Sequence, residues 1–423
     1  MAKFPAISPK IQLWLQRGTW SLADQWLFSG ANFIANILLA RWLQPEAFGA
    51  FALSFAIFLF FGAVHTAVLS DPMLIFAAGR FRAHQGAYLR FLLRGHLGFS
   101  LLATALLGLA AGAAHYTGLA TLAQALLGAC LAGPWILSAW LVRRAFYLQG
   151  QARQAALASL LFAFCLLAGL WTSQQNAQLT PLAAYLWMGA SSLLICLLFG
   201  KKVFPIPNQT ILALNPSELW AAQWGYARWS AGTAVLIWVP LNVFFLLPYI
   251  DGLQGPAALR AISNTLTPLM QSTMAITTLT LPQLAKTYSE SGSQPVLHAT
   301  QRFLGGFVGL AALYWLLLAG LHEPIFRLLY VDQYHQASRL LLFAGAVPLL
   351  FGVVALLENS LRAMERPRQV MQGYLIAALL AVSLGTGLTL SYGIAGALIG
   401  QALAFAAAAL FLYRDLQTVD KAI

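Results

Sequence analysis

The sequence predicts an all-α polytopic membrane protein with about twelve transmembrane helices. Of its 423 residues, 60% are hydrophobic and only 9% are charged, whereas soluble globular domains carry roughly 25% charged residues. Apolar runs of about 20 residues, each long enough to cross a bilayer, recur along the whole chain. The net charge of +12 does not indicate a nucleic-acid partner, because Lys and Arg lie in short connections between apolar runs and form no basic groove.

Twelve apolar stretches are predicted to span the membrane. They lie at 22–43, 47–69, 91–114, 119–141, 155–172, 181–199, 227–250, 256–279, 303–321, 339–359, 370–390 and 393–413. With a cytoplasmic N-terminus, all but four of the 24 Lys and Arg residues lie in cytoplasmic connections or at the termini; the four exceptions are Arg41, Arg260, Arg327 and Arg339. Because cytoplasmic loops carry the excess of positive charge, both termini are predicted to be cytoplasmic.

A proline-containing segment near the middle divides the chain into two halves. Residues 201–226 contain three prolines that interrupt any long helix, and they suit a cytoplasmic amphipathic linker at the membrane surface. On either side lie two predicted six-helix bundles, 1–200 and 227–423. A shift of 210 residues places Asn32 on Asn242 and matches several other positions, which supports a repeat. Since six is an even number, both repeats have the same orientation, and a cavity between them is the natural transport site.

A short polar connection separates the first two spans. In NFIANILLARWLQPEAFGAFALSF, it contains Arg41, Pro45, Glu46 and Gly49. Pro45 suits the first turn of a new helix, and Glu46 favours the positive N-terminal end of that helix. Gly49 permits a close helix approach, and Arg41 can extend to the outer interface. These residues predict the outer turn between spans 1 and 2.

The same region resembles a known family. The segment ADQWLFSGANFIANILLARWLQPEAFGAFALS (23–54) has an Asp and an Asn in the first span, followed by Arg, Pro and Phe-Gly. It is similar to the N-terminal signature of the polysaccharide-transport family, the O-antigen and exopolysaccharide lipid-linked oligosaccharide flippases of the multidrug/oligosaccharidyl-lipid/polysaccharide exporter superfamily. Residues 255–286 resemble the eighth span of that family, and residues 330–369 resemble its tenth span and the following loop.

This resemblance implies two six-helix bundles that form a V around a central cavity, with transport by alternating access. The implied cargo is an undecaprenyl-diphosphate-linked oligosaccharide repeat unit, moved from the cytoplasmic to the periplasmic leaflet of the bacterial inner membrane for surface polysaccharide biosynthesis. The implied partners are this glycan and membrane lipids. A polysaccharide polymerase and a chain-length regulator are further candidate partners.

Polar residues within spans are costly unless they serve a route for polar cargo. Arg260 lies about one turn into span 8 and shares a helix face with Asn264. Its guanidinium matches phosphate oxygens, so it is a candidate ligand for a diphosphate or an acidic sugar. An equal alternative is an arginine at a helix end that extends to the interface. Further candidates for the cavity are Asn32, Asn242, Gln271 and Arg41. Interhelical hydrogen bonding is the more common use of such amides.

Other charged residues suggest a gate and an ion-coupling site. Asp251 is the repeat counterpart of Arg41, and the two are candidates for an outer latch. Asp24 in span 1 and His65 in span 2 lie at comparable depth, because these spans run in opposite directions. A carboxylate beside a histidine can hold and release a proton, which makes them candidates for ion coupling. The alternatives are a hydrogen-bonded pair that only fixes helix packing, or no contact.

Glu358 and Arg362, at a spacing of four residues near the inner end of span 10, predict a structural ion pair within one helix. No cofactor or metal site is predicted, since the three cysteines fall in different spans and the histidines show no metal-ligand spacing. No cytoplasmic connection carries a phosphate-binding glycine-rich loop. The sequence therefore favours a secondary transporter over an enzyme.

Three alternative functions remain open at this point. A cation-coupled exporter of small amphipathic drugs belongs to the same superfamily, although the first-span signature and the basic cytoplasmic loops resemble the polysaccharide branch more. A membrane polysaccharide polymerase or ligase is expected to carry catalytic residues on a long outer loop, and the longest outer connection here, 322–338, is short. The third alternative is a non-transporting scaffold, against which the polar residues within spans argue.

Overall fold

The computed structural model of the protein describes residues 9–77, 79–204, 215–246, 252–331 and 333–418. These residues form helices joined by short connections, and no β-strand occurs among them. Nine helical stretches in the described part of the chain are long and apolar enough to cross a membrane. The all-α polytopic membrane architecture predicted from the sequence is therefore confirmed.

The helices of the described chain are numbered in order. The first eight are α1 (Pro9–Trp42), α2 (Pro45–His65), α3 (Asp71–Phe76), α4 (Gln85–Tyr116), α5 (Ala120–Leu148), α6 (Ala152–Gln175), α7 (Pro181–Val203) and α8 (Pro216–Asn242). The others are α9 (Gln254–Ser291), α10 (Ser293–Gly320), α11 (His322–Tyr330), α12 (Leu341–Ala344), α13 (Ala346–Ala363), α14 (Pro367–Leu380) and α15 (Thr386–Thr418). Two π-helical turns, Thr66–Ser70 and Ala381–Gly385, join α2 to α3 and α14 to α15.

The chain divides into two compact units. The first unit comprises Met1–Leu43 and Ile57–Ala231, and the second comprises Gln44–Ala56 and Gly232–Ile423. The division therefore falls within α8, a few residues after the predicted end of the linker. It also assigns the first half of α2 to the second unit, which the simple split into 1–200 and 227–423 did not foresee.

The predicted spans correspond to helices, with differences in polarity. The last two spans lie in one stretch, Pro367–Thr418, where α15 leaves the helical conformation at Gly393 (φ 57°, ψ −137°). Spans 22–43 and 256–279 lie in α1 and α9, which carry more polar residues and fall outside the nine apolar stretches. These two helices are therefore the natural places to look for a polar site.

The predicted linker and outer connection contain more helix than expected. Residues 216–226 form the beginning of α8, and α7 extends to Val203; residues 205–214 lie outside the described residues. The connection 322–338, treated above as a plain loop, contains the short helix α11.

Small residues allow helices to approach closely inside each unit. In the first unit, a Cβ atom on Gly189 of α7 would lie 2.9 Å from the side chain of Ala132 on α5. In the second unit, a Cβ atom on Gly49 would lie only 1.7 Å from the carbonyl oxygen of Leu253. Because real Cβ contacts are much longer, glycine is required at Gly49, and the close approach predicted there is confirmed. Such contacts supply the van der Waals packing that holds membrane helices together.

Candidate functional site

Arg260 lies in the second unit, near the beginning of α9, between two aromatic rings. Its guanidinium carbon is 5.0 Å from the ring centroid of Phe55 and 6.0 Å from that of Phe245. Phe55 comes from the first half of α2, and Phe245 from the turn after α8. Both distances suit cation–π attraction. The rings therefore hold a half-buried cation within a membrane-spanning helix.

Asn264 lies one turn further along α9 and is only 3% exposed. Its Nδ2 atom is buried, and its amide interacts with the Tyr330 hydroxyl. The Tyr330 hydroxyl of α11 lies beside Asn264 and Arg260 and donates a hydrogen bond to the carbonyl oxygen of Ala261 at 2.9 Å. The predicted neighbours Arg260 and Asn264 thus share one polar cluster, which α11 completes.

The polar face of α9 continues far beyond this cluster. Thr267, Gln271 and Thr278 follow Arg260 at intervals that place all four on one face of the helix. Gln271 and Thr278 are exposed, and Thr267 is half-buried. Both threonine hydroxyls donate to the carbonyl oxygen four residues earlier, at 3.0 and 2.8 Å, which leaves their oxygen lone pairs free to accept. We call Arg260, Asn264, Thr267, Gln271 and Thr278 the α9 polar face.

The other predicted cavity residues have different surroundings. Asn32 of α1 donates to the carbonyl oxygen of Phe28 at 2.8 Å, and Asn242, at the end of α8, donates to that of Trp238 at 3.2 Å. Each of these amides is thus bonded within its own helix. Arg41 is exposed in the last turn of α1. Asp251, its predicted partner in an outer latch, lies outside the described residues.

Asp24 of α1 lies at the centre of a buried cluster in the first unit. The carboxylate is 1% exposed. Arg143 of α5 donates to it through Nε at 3.1 Å and through Nη2 to both oxygens at 2.9 Å. The hydroxyls of Tyr147 and Ser159 donate to the same carboxylate, and the guanidinium carbon of Arg143 is 3.8 Å from the ring centroid of Phe28.

His65 belongs to a separate buried network. Its Nε2 atom lies 2.9 Å from Nδ1 of His96 on α4, and His96 Nε2 lies 2.8 Å from the Ser138 hydroxyl on α5. The two rings are 0% and 4% exposed. Of the alternatives that the sequence left open for Asp24 and His65, the structure shows no direct pair, because the carboxylate binds an arginine and the imidazole binds a second imidazole.

Sequence reasoning missed the partners in both networks. Arg143 was assigned to a cytoplasmic connection, whereas the structure buries it within α5. A buried carboxylate requires a counter-charge, and the Arg143–Arg144 pair at the end of span 4 was an available signal. His96 fell within span 3 but was grouped with histidines of loops and helix ends. By contrast, the predicted Glu358–Arg362 pair is confirmed, with Oε1 and Nη2 2.6 Å apart.

No family model and no curated protein matches the sequence. Solved structures do match it over nearly the whole chain. An inward-facing multidrug resistance MATE family transporter of the MOP superfamily superposes with a TM-score of 0.77 at 13% identity, covering 94% of this chain and 96% of that one. The lipid II flippase MurJ, in an inward closed conformation, gives a TM-score of 0.74 at 13% identity, covering 94% of this chain and 87% of that one.

A MOP superfamily transporter from Pyrococcus furiosus also matches, with a TM-score of 0.66 at 12% identity and 96% of both chains covered. These similarities show the fold, which is that of MOP superfamily transporters. They confirm about twelve transmembrane helices in two six-helix bundles. The protein is thus a multi-pass membrane protein whose structural neighbours are transporters, among them exporters of the MATE family and a lipid flippase.

Proposed function

We propose that this protein is a flippase for an undecaprenyl-diphosphate-linked oligosaccharide. It moves the repeat unit from the cytoplasmic to the periplasmic leaflet of the bacterial inner membrane by alternating access between two bundles that form a V, with both termini in the cytoplasm. The fold shared with MurJ and the resemblance of residues 23–54 to the polysaccharide-transport family support the proposal. A polysaccharide polymerase and a chain-length regulator are the proposed protein partners.

The α9 polar face is the observation that carries this proposal. From Arg260 to Thr278 it covers 19 residues, a rise of about 27 Å along the helix, close to the roughly 30 Å of the hydrocarbon core. Polar side chains along such a length are costly against lipid. We therefore assign this face to a water-filled route through which the polar part of the cargo passes.

The order of groups on this face matches the chemistry of the proposed cargo. Arg260 offers a planar fork of donors for a diphosphate, and Asn264 adds a buried amide on the same helix face. Gln271 and Thr278 offer amide and hydroxyl groups for sugar hydroxyls. The proposed cargo has one compact anion, the diphosphate, and a larger uncharged oligosaccharide. The α9 polar face matches it, because one cation, Arg260, is followed along the helix by neutral polar side chains.

The remaining predicted residues keep secondary roles in the proposal. Asn32 and Asn242 stay cavity candidates, although their amide donors already bind carbonyl oxygens of their own helices. Arg41 and Asp251 stay candidates for an outer latch. A double replacement that exchanges their charges is expected to restore flipping lost in either single variant.

A cation-coupled exporter of small amphipathic drugs is the second candidate function, and the superposition on a MATE family transporter favours it. A binding site for cationic drugs is expected to present carboxylates. The described part of the α9 polar face presents an arginine and no carboxylate, so the lipid-linked glycan is the better match.

The test is flipping in proteoliposomes that contain only this protein. A fluorescent undecaprenyl-diphosphate oligosaccharide is loaded, and its accessibility to a membrane-impermeant quencher is followed over time. Arg260→Gln is expected to slow flipping about 10- to 100-fold, because hydrogen bonds to charged groups contribute about 1.5–3 kcal/mol. Arg260→Lys is expected to be intermediate, since Lys keeps the charge and loses the fork.

Arg302→Gln is the matched control, because it removes the same charge from an exposed position on α10. Flipping that is equal in the Arg260 and Arg302 variants would rule out the role given to Arg260. No movement of several different glycans, together with gradient-driven efflux of a cationic dye, would favour the drug exporter.

A further inference from the structure

The hydrogen-bond chain around His65 fixes which ring nitrogens carry protons. The Ser138 hydroxyl donates to the carbonyl oxygen of Pro134 at 2.7 Å, so its oxygen must accept from His96 Nε2 at 2.8 Å. In a neutral His96, Nδ1 is then an acceptor, and it accepts from His65 Nε2 at 2.9 Å. This order of bonds assigns both neutral rings to the Nε2-protonated tautomer.

The same assignment leaves one basic atom without a partner. In the neutral His65, Nδ1 carries a bare lone pair, and this atom is buried with no hydrogen-bond partner among the described residues. Every other ring nitrogen of the pair takes part in the chain. A further proton entering the network therefore has one vacant acceptor, namely His65 Nδ1.

Buried hydroxyls lead away from the pair along α4. His96, Ser100 and Thr104 are spaced by four residues and share a helix face. The hydroxyl oxygens of Ser100 and Thr104 are buried and have no hydrogen-bond partner in the described part of the chain. Buried polar groups of this kind are normally satisfied by internal water. The face extends about 12 Å from His96 and thus suits a short water-filled path.

The backbone next to His65 departs from regular helix. His65 is the last residue of α2, and the π-helical turn Thr66–Ser70 follows directly. In that turn, the carbonyl oxygen of Val68 accepts a hydrogen bond from Gln223 of α8, and Gln223 also accepts from the Tyr88 hydroxyl at 2.8 Å. Single π turns inside helices occur frequently at functional sites. A change at His65 is therefore adjacent to an irregular element of the backbone.

The charged groups on the surrounding helices do not contact the His65–His96 pair through any ion pair found among the described residues. No carboxylate among the described residues hydrogen-bonds to either ring of the pair. The charged groups on α3, α4 and α5 are Asp71, which pairs with Arg144 at 3.4 Å, Arg143, which binds Asp24, half-buried Arg90 and exposed Arg94. The other titratable groups on these helices, besides His96 itself, are Tyr88, His115, Tyr116, Cys130 and Tyr147. An imidazolium at His65 has no counter-ion here, so it requires a conformation in which water reaches the ring.

We propose that His65 Nδ1 is a proton-binding site, reached along the buried hydroxyls of Ser100 and Thr104, and that its protonation is linked to a change in the π turn. The neutral, dry arrangement described above is one state. The protonated state is hydrated, so proton binding and conformation shift together. The link to transport rests on the proposed function, whereas the proton site itself does not.

The first test needs no cargo. Nitrogen-15-labelled histidine is introduced, and the protein is studied by NMR in lipid nanodiscs, with the His65 signals assigned by their absence in His65→Gln. The proposal expects two Nε2-protonated neutral rings at alkaline pH and protonation of His65 Nδ1 on acidification. The signal of exposed His115, assigned through His115→Gln, is the internal reference. A His65 ring that is protonated on Nδ1 at alkaline pH, or that never gains a second proton, would overturn the proposal.

The second test measures coupling in proteoliposomes. Wild-type flipping is expected to rise at least threefold with an imposed pH gradient, and His65→Gln is expected to lose this stimulation. Gln retains an N–H donor for His96 and lacks the basic Nδ1 atom. His115→Gln is expected to keep full stimulation. Stimulation that survives in His65→Gln would overturn the coupling, while absence of flipping in the wild type would count against the proposed function and leave the NMR result to decide the site.

Discussion

Removing one charge from the buried Asp24–Arg143 pair is predicted to destabilise the first unit strongly. In Arg143→Met, the Asp24 carboxylate stays buried at 1% exposure with only the Tyr147 and Ser159 hydroxyls as donors. In Asp24→Asn, the guanidinium loses its counter-ion. Breaking a buried ion pair on one side typically costs about 3–5 kcal/mol, because an uncompensated charge remains in a low-dielectric interior.

Removing both charges together is predicted to be much milder. The double variant Asp24→Leu/Arg143→Met replaces the ion pair with apolar groups of similar volume, and such replacements are often neutral or stabilising. It leaves the Tyr147 and Ser159 hydroxyls without their acceptor, which costs about 1–3 kcal/mol. The double variant is therefore expected to be no less stable than the worse single variant, with a coupling free energy of about 3 kcal/mol or more.

The assay is denaturant unfolding of the purified protein in detergent micelles, followed by tryptophan fluorescence. Arg302→Gln serves as a control for loss of a surface charge and is expected to change the free energy of unfolding by less than about 0.5 kcal/mol. If the two single effects add in the double variant to within about 0.5 kcal/mol, the residues are energetically independent. That result would refute the buried ion pair as the organising contact of this cluster.

Three further predictions concern packing and hydrogen bonding. Gly49→Ala places a Cβ atom 1.7 Å from a backbone carbonyl oxygen and is expected to cost 1–3 kcal/mol or more; Gly30→Ala, with open space around it, is the matched control. Glu358→Gln is expected to lower the free energy of unfolding more than Tyr374→Phe, because the carboxylate accepts both from the Tyr374 hydroxyl at 2.5 Å and from an arginine. Gln223→Ala removes both bonds of this 3% exposed amide and is expected to speed hydrogen exchange in the π turn. Thermal unfolding that is unchanged in Gly49→Ala or in Glu358→Gln would contradict the packing and hydrogen bonds described for these residues. Hydrogen exchange in the π turn that is unchanged in Gln223→Ala would contradict the contacts described for Gln223.

Sequence patterns predicted the helices well because bilayer thickness requires long apolar runs. The same criterion explains the main error. Span 4 was ended at residue 141, where the apolar run stops, whereas α5 continues to Leu148. The extra turns carry Arg143 and Tyr147 to Asp24, so an arginine counted as a loop charge is in fact buried beside this carboxylate.

The candidate sites were predictable only where contacts are local. Glu358 and Arg362 lie four residues apart on one helix, and their ion pair followed from spacing alone. Arg260 and Asn264 share a face of α9 for the same reason. The partners of Asp24 and His65 lie 119 and 31 residues away, and a single sequence contains no information on such pairings. The hydrogen bond that the π turn accepts from Gln223 likewise joins residues 155 apart.

The two buried clusters of the first unit differ in how fully their polar groups are bonded, and this difference separates their roles. Asp24 receives donors from three side chains, and its charge is balanced by Arg143. Such a network is stable in one arrangement, and changing its charge state breaks it.

His65 instead keeps a buried nitrogen without a partner, and the hydroxyls of Ser100 and Thr104 are in the same condition. A native interior rarely retains unsatisfied groups unless water, an ion or another conformation satisfies them. A proton that enters at His65 therefore meets the less constrained of the two networks, and we expect acidification to change the His65 network while the Asp24–Arg143 pair stays intact.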